Sequence, residues 1–473
     1  MKAKQMLVLS AFAAAAIMMV GCGGGGGGES VSDCDRLPQW TGKSVPMQSP
    51  EEVQNAMALL YASASLYEKL YDLDRADTLS VEIEGRSVME EAAVELSVLS
   101  PVQMVKRLSV PLPTERAPNH VEDENCSISG TRSVKCESGE DATGYHEECT
   151  YTYNSCVEYE SCLKSLFREY VGPITLGEIC KPTNRRYTID GKLIKKEYEG
   201  SDDSREWRGY RVEADGFTVE MEDNESLDSG KLSATIYAQL EESRDSGMVR
   251  LYQLEENSYL NRYEFTGDGC LSLYVNRDDK NGSVKKVADI KLQAVDFIVT
   301  TDRVVMYDES EDRSEKKVIN VNGYAGLTGY VNSGDLDYST DLNGSDLGAF
   351  ALYGKGFRFT ALESGLDINA TVTGTLATPC LGGAVAYDGE MKVYRKYESQ
   401  DGNDSALPFD GKVTLHGQKD ATVSFRLDDE KRTYAEVLVD DVNRTYGSWE
   451  ALIEGNCTEL SEKLKSIFSR FYK

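Results

Sequence analysis

The sequence has few of the residues and motifs on which catalysis most often depends. It contains only three histidines in 473 residues, which leaves few candidates for a general base near neutral pH. The patterns G-x-S-x-G, H-E-x-x-H and G-x-x-x-x-G-K-[ST] are absent, so common hydrolase, metalloprotease and phosphate-binding loops are not indicated. We therefore expect a non-enzymatic protein without a cofactor.

Positive charge is also scarce. Lys and Arg number 51 against 80 Asp and Glu, and the net charge is −29. A chain this acidic is repelled by nucleic acid and by anionic lipid head groups. We expect no nucleic-acid partner, and any membrane attachment has to come from something other than surface charge.

Long apolar runs are absent apart from the N-terminus. Lys2 and Lys4 precede the run Met6–Val20, which is followed by Gly21 and Cys22. Fifteen apolar residues are fewer than the ~20 that a membrane-spanning helix needs, but they suit the core of a signal peptide. Removal of residues 1–21 would make the net charge still more negative.

The sequence MVGC at the end of this run resembles a bacterial lipobox. The resemblance implies acylation of Cys22 and cleavage before it. Gly23–Gly28 follow directly, and a glycine run of this kind makes a flexible tether. Gly23 stands where such families carry Asp as an inner-membrane retention signal. The resemblance therefore implies a protein held in the outer membrane by its lipid, on the periplasmic face or at the cell surface, with residues 22–48 as tether.

The remaining cysteines are even in number, which in an oxidising compartment predicts about five disulfides. Six of them fall between residues 126 and 180, so residues 111–182 are expected to form a linker and a locally cross-linked segment. A zinc site is the alternative, but no C-x-x-C pair supports it. The ten cysteines are Cys34, Cys126, Cys136, Cys149, Cys156, Cys162, Cys180, Cys270, Cys380 and Cys457.

Two kinds of periodicity organise the mature chain. Residues 49–110 have helical spacing, beginning with the capping-box pattern Ser49-Pro50-Glu51-Glu52. Residues 183–456 alternate with period two between Gly, Asp, Asn and Ser turns, which predicts a β-meander forming either a sandwich or one curled sheet. Residues 457–473 predict an amphipathic C-terminal helix. The fold class is therefore mainly β with a small helical N-terminal region.

The segment from about Tyr187 to Leu452 is similar to uncharacterised all-β bacterial lipoproteins. Those proteins close with a pattern resembling GKVTLHGQKDATVSFRL and, further on, AEVLVDDVNRTYGSWEAL. The resemblance implies an all-β envelope protein and implies no activity.

Asn-x-Ser/Thr occurs eight times, and an acidic residue stands two positions before every Asn. With 80 acids in 473 residues, independent placement would give this about once in a million. The pattern resembles the extended sequon of bacterial N-glycosylation, in which the transferase holds the upstream acid with a basic side chain. The alternative is that Asp, Asn, Gly and Ser cluster in turns for backbone reasons. The predicted glycosylation sites are Asn125, Asn224, Asn281, Asn343, Asn369, Asn403, Asn443 and Asn456.

These patterns predict a glycosylated surface lipoprotein that serves as an adhesive, structural or ligand-binding scaffold. Its partners would be the lipid bilayer, through Cys22, and an extracellular or envelope ligand. The alternative is an envelope hydrolase that uses paired carboxylates on a glycan or peptide, because such pairs need only proximity in the fold.

Overall fold

The computed structural model describes residues 36–64, 120–141, 144–160, 182–203, 205–224, 228–246, 258–278, 284–307, 313–331, 350–365, 367–394, 407–429 and 432–454. Within them, sixteen β-strands form one antiparallel sheet in which every strand pairs with its neighbours in the chain. The strands are β1 (His120–Asn125), β2 (Ser129–Asp141), β3 (Gly144–Tyr159), β4 (Arg185–Ser201), β5 (Arg205–Asp223), β6 (Ser229–Ser246), β7 (Tyr259–Asp278), β8 (Val284–Tyr307), β9 (Arg313–Val331), β10 (Phe350–Ser364), β11 (Asp367–Thr378), β12 (Gly383–Tyr394), β13 (Asp410–His416), β14 (Asp420–Leu427), β15 (Thr433–Val439) and β16 (Val442–Tyr446). The predicted antiparallel meander is confirmed, as a single sheet.

The sheet begins earlier in the chain than the period-two pattern indicated. The cysteine-rich segment contributes the three strands β1, β2 and β3, and β3 pairs with β4 along most of its length. Charged and polar residues at most positions of β1 and β2 obscure the alternation that marks the later strands. The cross-linked segment is therefore part of the sheet.

Among the described residues, three helical elements accompany the sheet: α1 (Pro50–Ala64), a 3-10 turn (Pro379–Leu381) and α2 (Trp449–Ile453). The predicted start of α1 is confirmed in detail. The Ser49 hydroxyl accepts a hydrogen bond from the amide of Glu52 at 3.3 Å, and the Glu52 carboxylate accepts one from the amide of Ser49 at 3.1 Å. This reciprocal pair is a capping box, which satisfies amides that the first turn leaves without intrahelical partners.

Helix α1 belongs to an extensive apolar core of the described residues. Most of its residues are buried, on all sides of the helix, as expected of a helix enclosed by other elements. One apolar cluster joins it to α2 and to strands β8 through β15. Eight strands laid flat would span about 34 Å at their usual spacing, far more than the diameter of one helix, so a curved sheet fits this shared core better than a flat one.

A row of β-bulges crosses the sheet and supplies the bend. Register shifts occur between the successive pairs β2 to β6 and again between β7 and β11. Bulges bend a strand and increase its local twist. At four of them a residue with positive φ donates its amide to a side-chain oxygen on an adjacent strand: Ser155 to Asp190 at 2.5 Å, Gly216 to Thr235 at 3.4 Å, Asp296 to Asp268 at 3.3 Å and Gly356 to Asn322 at 2.7 Å.

This recurring contact explains why a polar residue stands before a glycine on several strands. Asp190, Asp268 and Asn322 each precede a glycine with positive φ, namely Gly191, Gly269 and Gly323. A Cβ on Gly323 would lie 2.0 Å from the carbonyl oxygen of Asp296. The polar residue satisfies the bulged amide of one neighbouring strand, and the glycine after it lets the backbone of the other neighbouring strand approach.

Residues 36–49, here called the N-terminal strap, cross one end of the sheet. Gln293 of β8 donates its side-chain amide to the carbonyl of Arg36 at 3.1 Å. Further along, Val45 donates its backbone amide to Ala384 of β12 at 3.1 Å, and Gln418 donates its own to Val45 at 2.7 Å. The part of the predicted tether from residue 36 onward is thus bound to the sheet.

Several predicted features lie outside the described residues. They are the signal peptide, Cys22 with the glycine run, the helical pattern that follows α1 up to residue 110, and the C-terminal helix of residues 457–473. Among the helices that the structure does describe, none is both long enough and apolar enough to cross a bilayer.

Candidate functional site

Four of the eight predicted glycosylation sites lie within the described residues, and all four asparagines are solvent-exposed: Asn125, Asn224, Asn369 and Asn443. The acidic residue two positions earlier is exposed in each case as well. These acids are Asp123, Glu222, Asp367 and Asp441. The other four sites, Asn281, Asn343, Asn403 and Asn456, lie outside the described residues, as does the predicted lipidation site Cys22.

Asn369 shows how the motif is arranged on a strand. In β11, Asp367, Asn369 and Thr371 are exposed, whereas Ala370 and Val372 between and after them are buried. Successive side chains of a strand point to opposite faces. The acid, the asparagine and the threonine therefore stand in line on the outer face, while the intervening residues enter the core.

The surroundings of Asn369 are those of an interior strand. Its backbone lies between Leu362 of β10 and Lys392 of β12. Leu362 is directly opposite and is itself exposed. The asparagine side chain is accessible, but its main chain is held on both sides by the ladder.

Asn443 belongs to the last hairpin. Val439 and Val442 are paired at its end, and the two residues that connect them, Asp440 and Asp441, have φ of 45° and 65°. Positive φ at both central residues is the type I′ geometry, whose twist suits a two-residue hairpin. Asp441 stands in this turn, and Asn443 follows in β16, opposite Leu438.

Asn125 and Asn224 lie at strand ends. Asn125 is the last residue of β1, and Cys126 and Ser127 complete its sequon. The Ser127 hydroxyl accepts a hydrogen bond from the amide of Tyr159 at 3.2 Å. Asn224 follows β5 and donates its backbone amide to the carbonyl of Asn184 at 3.0 Å.

The disulfide prediction is confirmed for the cysteines of the first strands. Cys126 is bonded to Cys156 with a Cα–Cα distance of 5.5 Å, and Cys136 to Cys149 with 4.1 Å. The second bond lies inside the first, and both cross-link the β1–β3 region. Cys270 and Cys380 are also disulfide-bonded. Cys34, Cys162, Cys180 and Cys457 lie outside the described residues.

The sulfurs of Cys126 and Cys156 and a carboxylate oxygen of Glu158 lie within 4.8 Å of one another. Zinc binding by cysteine requires thiolates, and these two sulfurs are bonded to each other. Glu158 instead accepts a hydrogen bond from the amide of Ser127 at 3.0 Å. In the oxidised protein this group is a structural contact beside the disulfide.

A shallow groove of about 420 Å³ lies across strands β4 to β7 at the row of bulges. Three acids line it: Glu213, Asp215 and Asp268. Glu213 is ion-paired with Arg211 at 3.1 Å, and Asp268 accepts the amide of Asp296 at the bulge. Two of the three acids therefore make structural contacts.

Other carboxylates are buried with arginine partners. Asp302, only 1% exposed, receives two hydrogen bonds from Arg262, at 2.7 and 3.0 Å. Glu315 receives two from Arg303, at 2.8 and 3.0 Å. Such two-pronged pairs are the strongest geometry for an ion pair. These ion pairs join β7 to β8 and β8 to β9. No sequence motif predicts them, because the partners lie 40 and 12 residues apart.

Burial also shifts the titration of several tyrosines. It raises the pKa values of Tyr198, Tyr237, Tyr324 and Tyr387 above their usual range. The Glu241 carboxylate beside Tyr198 adds to that shift, and Arg211 opposes it at Tyr237. A tyrosine whose pKa is raised stays protonated at neutral pH. The hydroxyls of Tyr198, Tyr237 and Tyr387 donate hydrogen bonds to Glu241, Gln239 and the carbonyl of Ala56.

Comparison with known proteins gives no relative for this chain. No protein-family model, no curated protein and no solved structure matches it.

Proposed function

We propose that this protein is a glycosylated lipoprotein of the bacterial cell envelope, whose β-sheet is a non-enzymatic scaffold for adhesion, envelope structure or ligand capture. Acyl chains on Cys22 would anchor it in the outer membrane, and the glycine run would separate the lipid from the folded part. The ligand would be extracellular or part of the envelope.

The observation that carries the glycosylation proposal is an internal comparison of asparagines. Eight of the eighteen asparagines begin a sequon, and all eight have Asp or Glu two positions earlier. Of the ten asparagines outside sequons, only Asn257 has an acid two positions earlier, namely Glu255. An acid-rich chain or acidic turns would place carboxylates before both groups alike. In this chain the upstream acid therefore occurs together with the sequon, as it would if one enzyme had to recognise both.

The alternation of side chains along a strand is a second explanation for the acid two positions before each asparagine, but it does not account for the charge. A polar outer face places polar residues at positions −2, 0 and +2 of a strand. It does not choose a carboxylate, since outer positions of β13 carry Lys412, Thr414 and His416. An acid at −2 offers a basic site in a transferase a charge-assisted hydrogen bond that the bare sequon lacks.

The scaffold is preferred to the hydrolase for reasons of geometry. Glycoside hydrolysis needs two carboxyl groups across a substrate cleft, one of them able to donate a proton. In the groove across β4 to β7, Glu213 is ion-paired with Arg211 and Asp268 accepts a backbone amide. The extended sheet, its disulfides and its outward-facing sequons support a surface role better than a catalytic one.

Intact-mass spectrometry of protein from its native host tests the glycosylation. We expect up to eight equal increments above the acylated polypeptide. A mass equal to the bare acylated chain would contradict the proposal, and the eight acids would then need a different explanation.

The Cys22→Ser variant tests the anchor separately. We expect it to leave the detergent phase in a two-phase partition and to stay uncleaved or soluble. Partitioning identical to that of the unchanged protein would refute lipidation at Cys22. The glycosylation proposal would be unaffected by that result.

A further inference from the structure

The sheet is open and has two edges, β1 and β16. Among the described residues, no strand pairs with the outer side of either. In β16 the first four residues, Val442 to Thr445, are all exposed. An exposed edge strand presents unpaired backbone groups that can accept another strand, and natural proteins block such edges.

Within the part of the chain that the structure describes, the edge at β16 has little other protection. The strand VNRTY carries one charged side chain, Arg444. Val442 is 41% exposed, and Leu438, on the neighbouring strand β15, is 52% exposed. These two apolar side chains would favour association once a second strand lay beside them.

Asn443 is placed to cover this edge. It lies directly opposite Leu438 in the β15–β16 ladder, so the two side chains share one face of the sheet and stand about 5 Å apart. A strand that extended the sheet would lie about 4.8 Å beyond β16. An oligosaccharide on Asn443 is bulkier than that spacing, so it would occupy the space that the incoming strand needs.

We propose that the glycan on Asn443 blocks the edge strand β16, covering Leu438 and preventing β16 from pairing with a second copy of the chain. This inference rests on the proposed glycosylation. The opposite edge has a similar arrangement, because β1 ends at the exposed sequon residue Asn125. Both open edges of the sheet therefore carry a sequon.

The interior of the sheet supplies a matched control. Asn369 lies opposite Leu362, which is 37% exposed, so the pairing of a sequon with an exposed leucine is the same. The difference is that β11 lies between β10 and β12. Loss of the glycan on Asn369 would uncover Leu362 but would not uncover an edge strand.

The experiment compares glycosylated protein from the native host with the variants Asn443→Gln, Thr445→Ala and Asn369→Gln. Intact mass first establishes which glycan each variant has lost, and light scattering coupled to gel filtration then measures association over a concentration series. We expect Asn443→Gln and Thr445→Ala to form dimers or larger species at roughly tenfold lower concentration than the unchanged protein, a difference of about 1.4 kcal/mol. Asn369→Gln should remain like the unchanged protein.

A charge on the edge should restore the monomer. Val442→Lys added to Asn443→Gln places an ammonium on the exposed edge, as natural edge strands often do. Self-association that returns to the level of the unchanged protein supports the proposal.

Two results of the association measurement would overturn it. Equal association of the Asn443 and Asn369 variants would mean that uncovered leucines, and not the edge, are responsible. A monomeric Asn443→Gln that has lost its glycan would show that the edge needs no cover. If the unchanged protein carries sugars elsewhere but none on Asn443, the edge proposal fails while the proposed function stands; if it carries no sugar at all, both fail.

Discussion

The Tyr387 hydroxyl donates a hydrogen bond to the carbonyl oxygen of Ala56 at 2.8 Å, across 331 residues of sequence. Tyr387 is 2% exposed in the middle of β12, and Ala56 lies in the enclosed helix α1. The ring also meets Phe357 of β10 edge to face, with centroids 6.1 Å apart. This contact fixes the helix against the curved part of the sheet at a position deep in the core.

Removal of the hydroxyl should therefore have a modest and specific cost. Tyr387→Phe keeps the ring and its packing, so we expect the free energy of unfolding to fall by about 1 kcal/mol, the usual net value of one hydrogen bond. Urea denaturation followed by tryptophan fluorescence measures it. Tyr145→Phe, at a tyrosine that is about half exposed, should change stability by less than ~0.5 kcal/mol. Equal effects of the two substitutions would contradict the buried contact.

The same tyrosine predicts how stability depends on alkaline pH. Burial raises the pKa of Tyr387 far above the usual value of 10.0, so the folded state keeps its proton where the unfolded state loses it. The contribution is fully present below about pH 10 and is lost as pH rises beyond it, by about 1.4 kcal/mol per pH unit for one such group. Stability curves at pH 9 to 11 should be steeper for the unchanged protein than for Tyr387→Phe. Parallel curves would show that Tyr387 titrates alike in both states.

The close approach of strands at the bulges predicts how two glycine substitutions affect stability. Gly374 and Gly365 both have positive φ, 91° and 60°. A Cβ on Gly374 would lie 2.1 Å from the carbonyl oxygen of Gly356, whereas nothing lies within 4 Å of one on Gly365. We expect Gly365→Ala to cost about 1 kcal/mol through backbone strain alone, and Gly374→Ala to cost clearly more, since the two strands would have to separate. Thermal unfolding of the pair measures the difference, and similar melting temperatures would be inconsistent with a close approach at Gly374.

The buried Cys270 leads to a prediction of connectivity. Its cross-strand neighbour Gln293 donates a hydrogen bond to the carbonyl of Arg36, and Cys34 comes two residues before Arg36 in the chain. Two residues span at most about 7 Å, and disulfides join Cα atoms about 4.4–6.8 Å apart. Peptide mapping without reduction should recover Cys270 linked to Cys34. A peptide that links Cys270 to Cys162, Cys180 or Cys457 would disprove the assignment.

Local rules were sufficient for the parts of the fold that depend on neighbouring residues. The capping box of Ser49 and Glu52 and the alternation of β11 follow from positions a few residues apart, and both are found as predicted. The two nested disulfides were predicted as cross-links, but their pairing depends on which strands lie side by side.

Long-range relationships could not be predicted in this way. The ion pair of Arg262 with Asp302 and the contact of Tyr387 with Ala56 depend on strand register and on the curvature of the sheet, which no short pattern encodes. The sequons were found from the sequence, whereas the open edge beside Asn443 depends on the place of β16 as the last of the described strands.

The acid before Asn369 gives the most direct test of the modification. Asp367→Ala keeps Asn369, Ala370 and Thr371, and we expect it to abolish the glycan at Asn369, because the transferase would lose its charge-assisted contact. Asp367 is exposed at the start of β11, so the stability of the fold should change by less than ~0.5 kcal/mol. Glycopeptide mass spectrometry of protein from the native host measures the occupancy of the site.

Two variants make that result interpretable. Asp367→Glu should retain the glycan, since Glu222 and Glu454 occupy the same place before Asn224 and Asn456. Asp388→Ala removes another exposed acid, on the adjacent strand β12, that precedes no sequon, and it should leave occupancy unchanged. Because the main chain of Asn369 is paired on both sides, we expect the transferase to modify it before β11 joins its neighbours, with the acid in contact with the enzyme while this segment is still unpaired. Full occupancy in Asp367→Ala would show that the bare sequon suffices, and the eight acids would then need a different explanation.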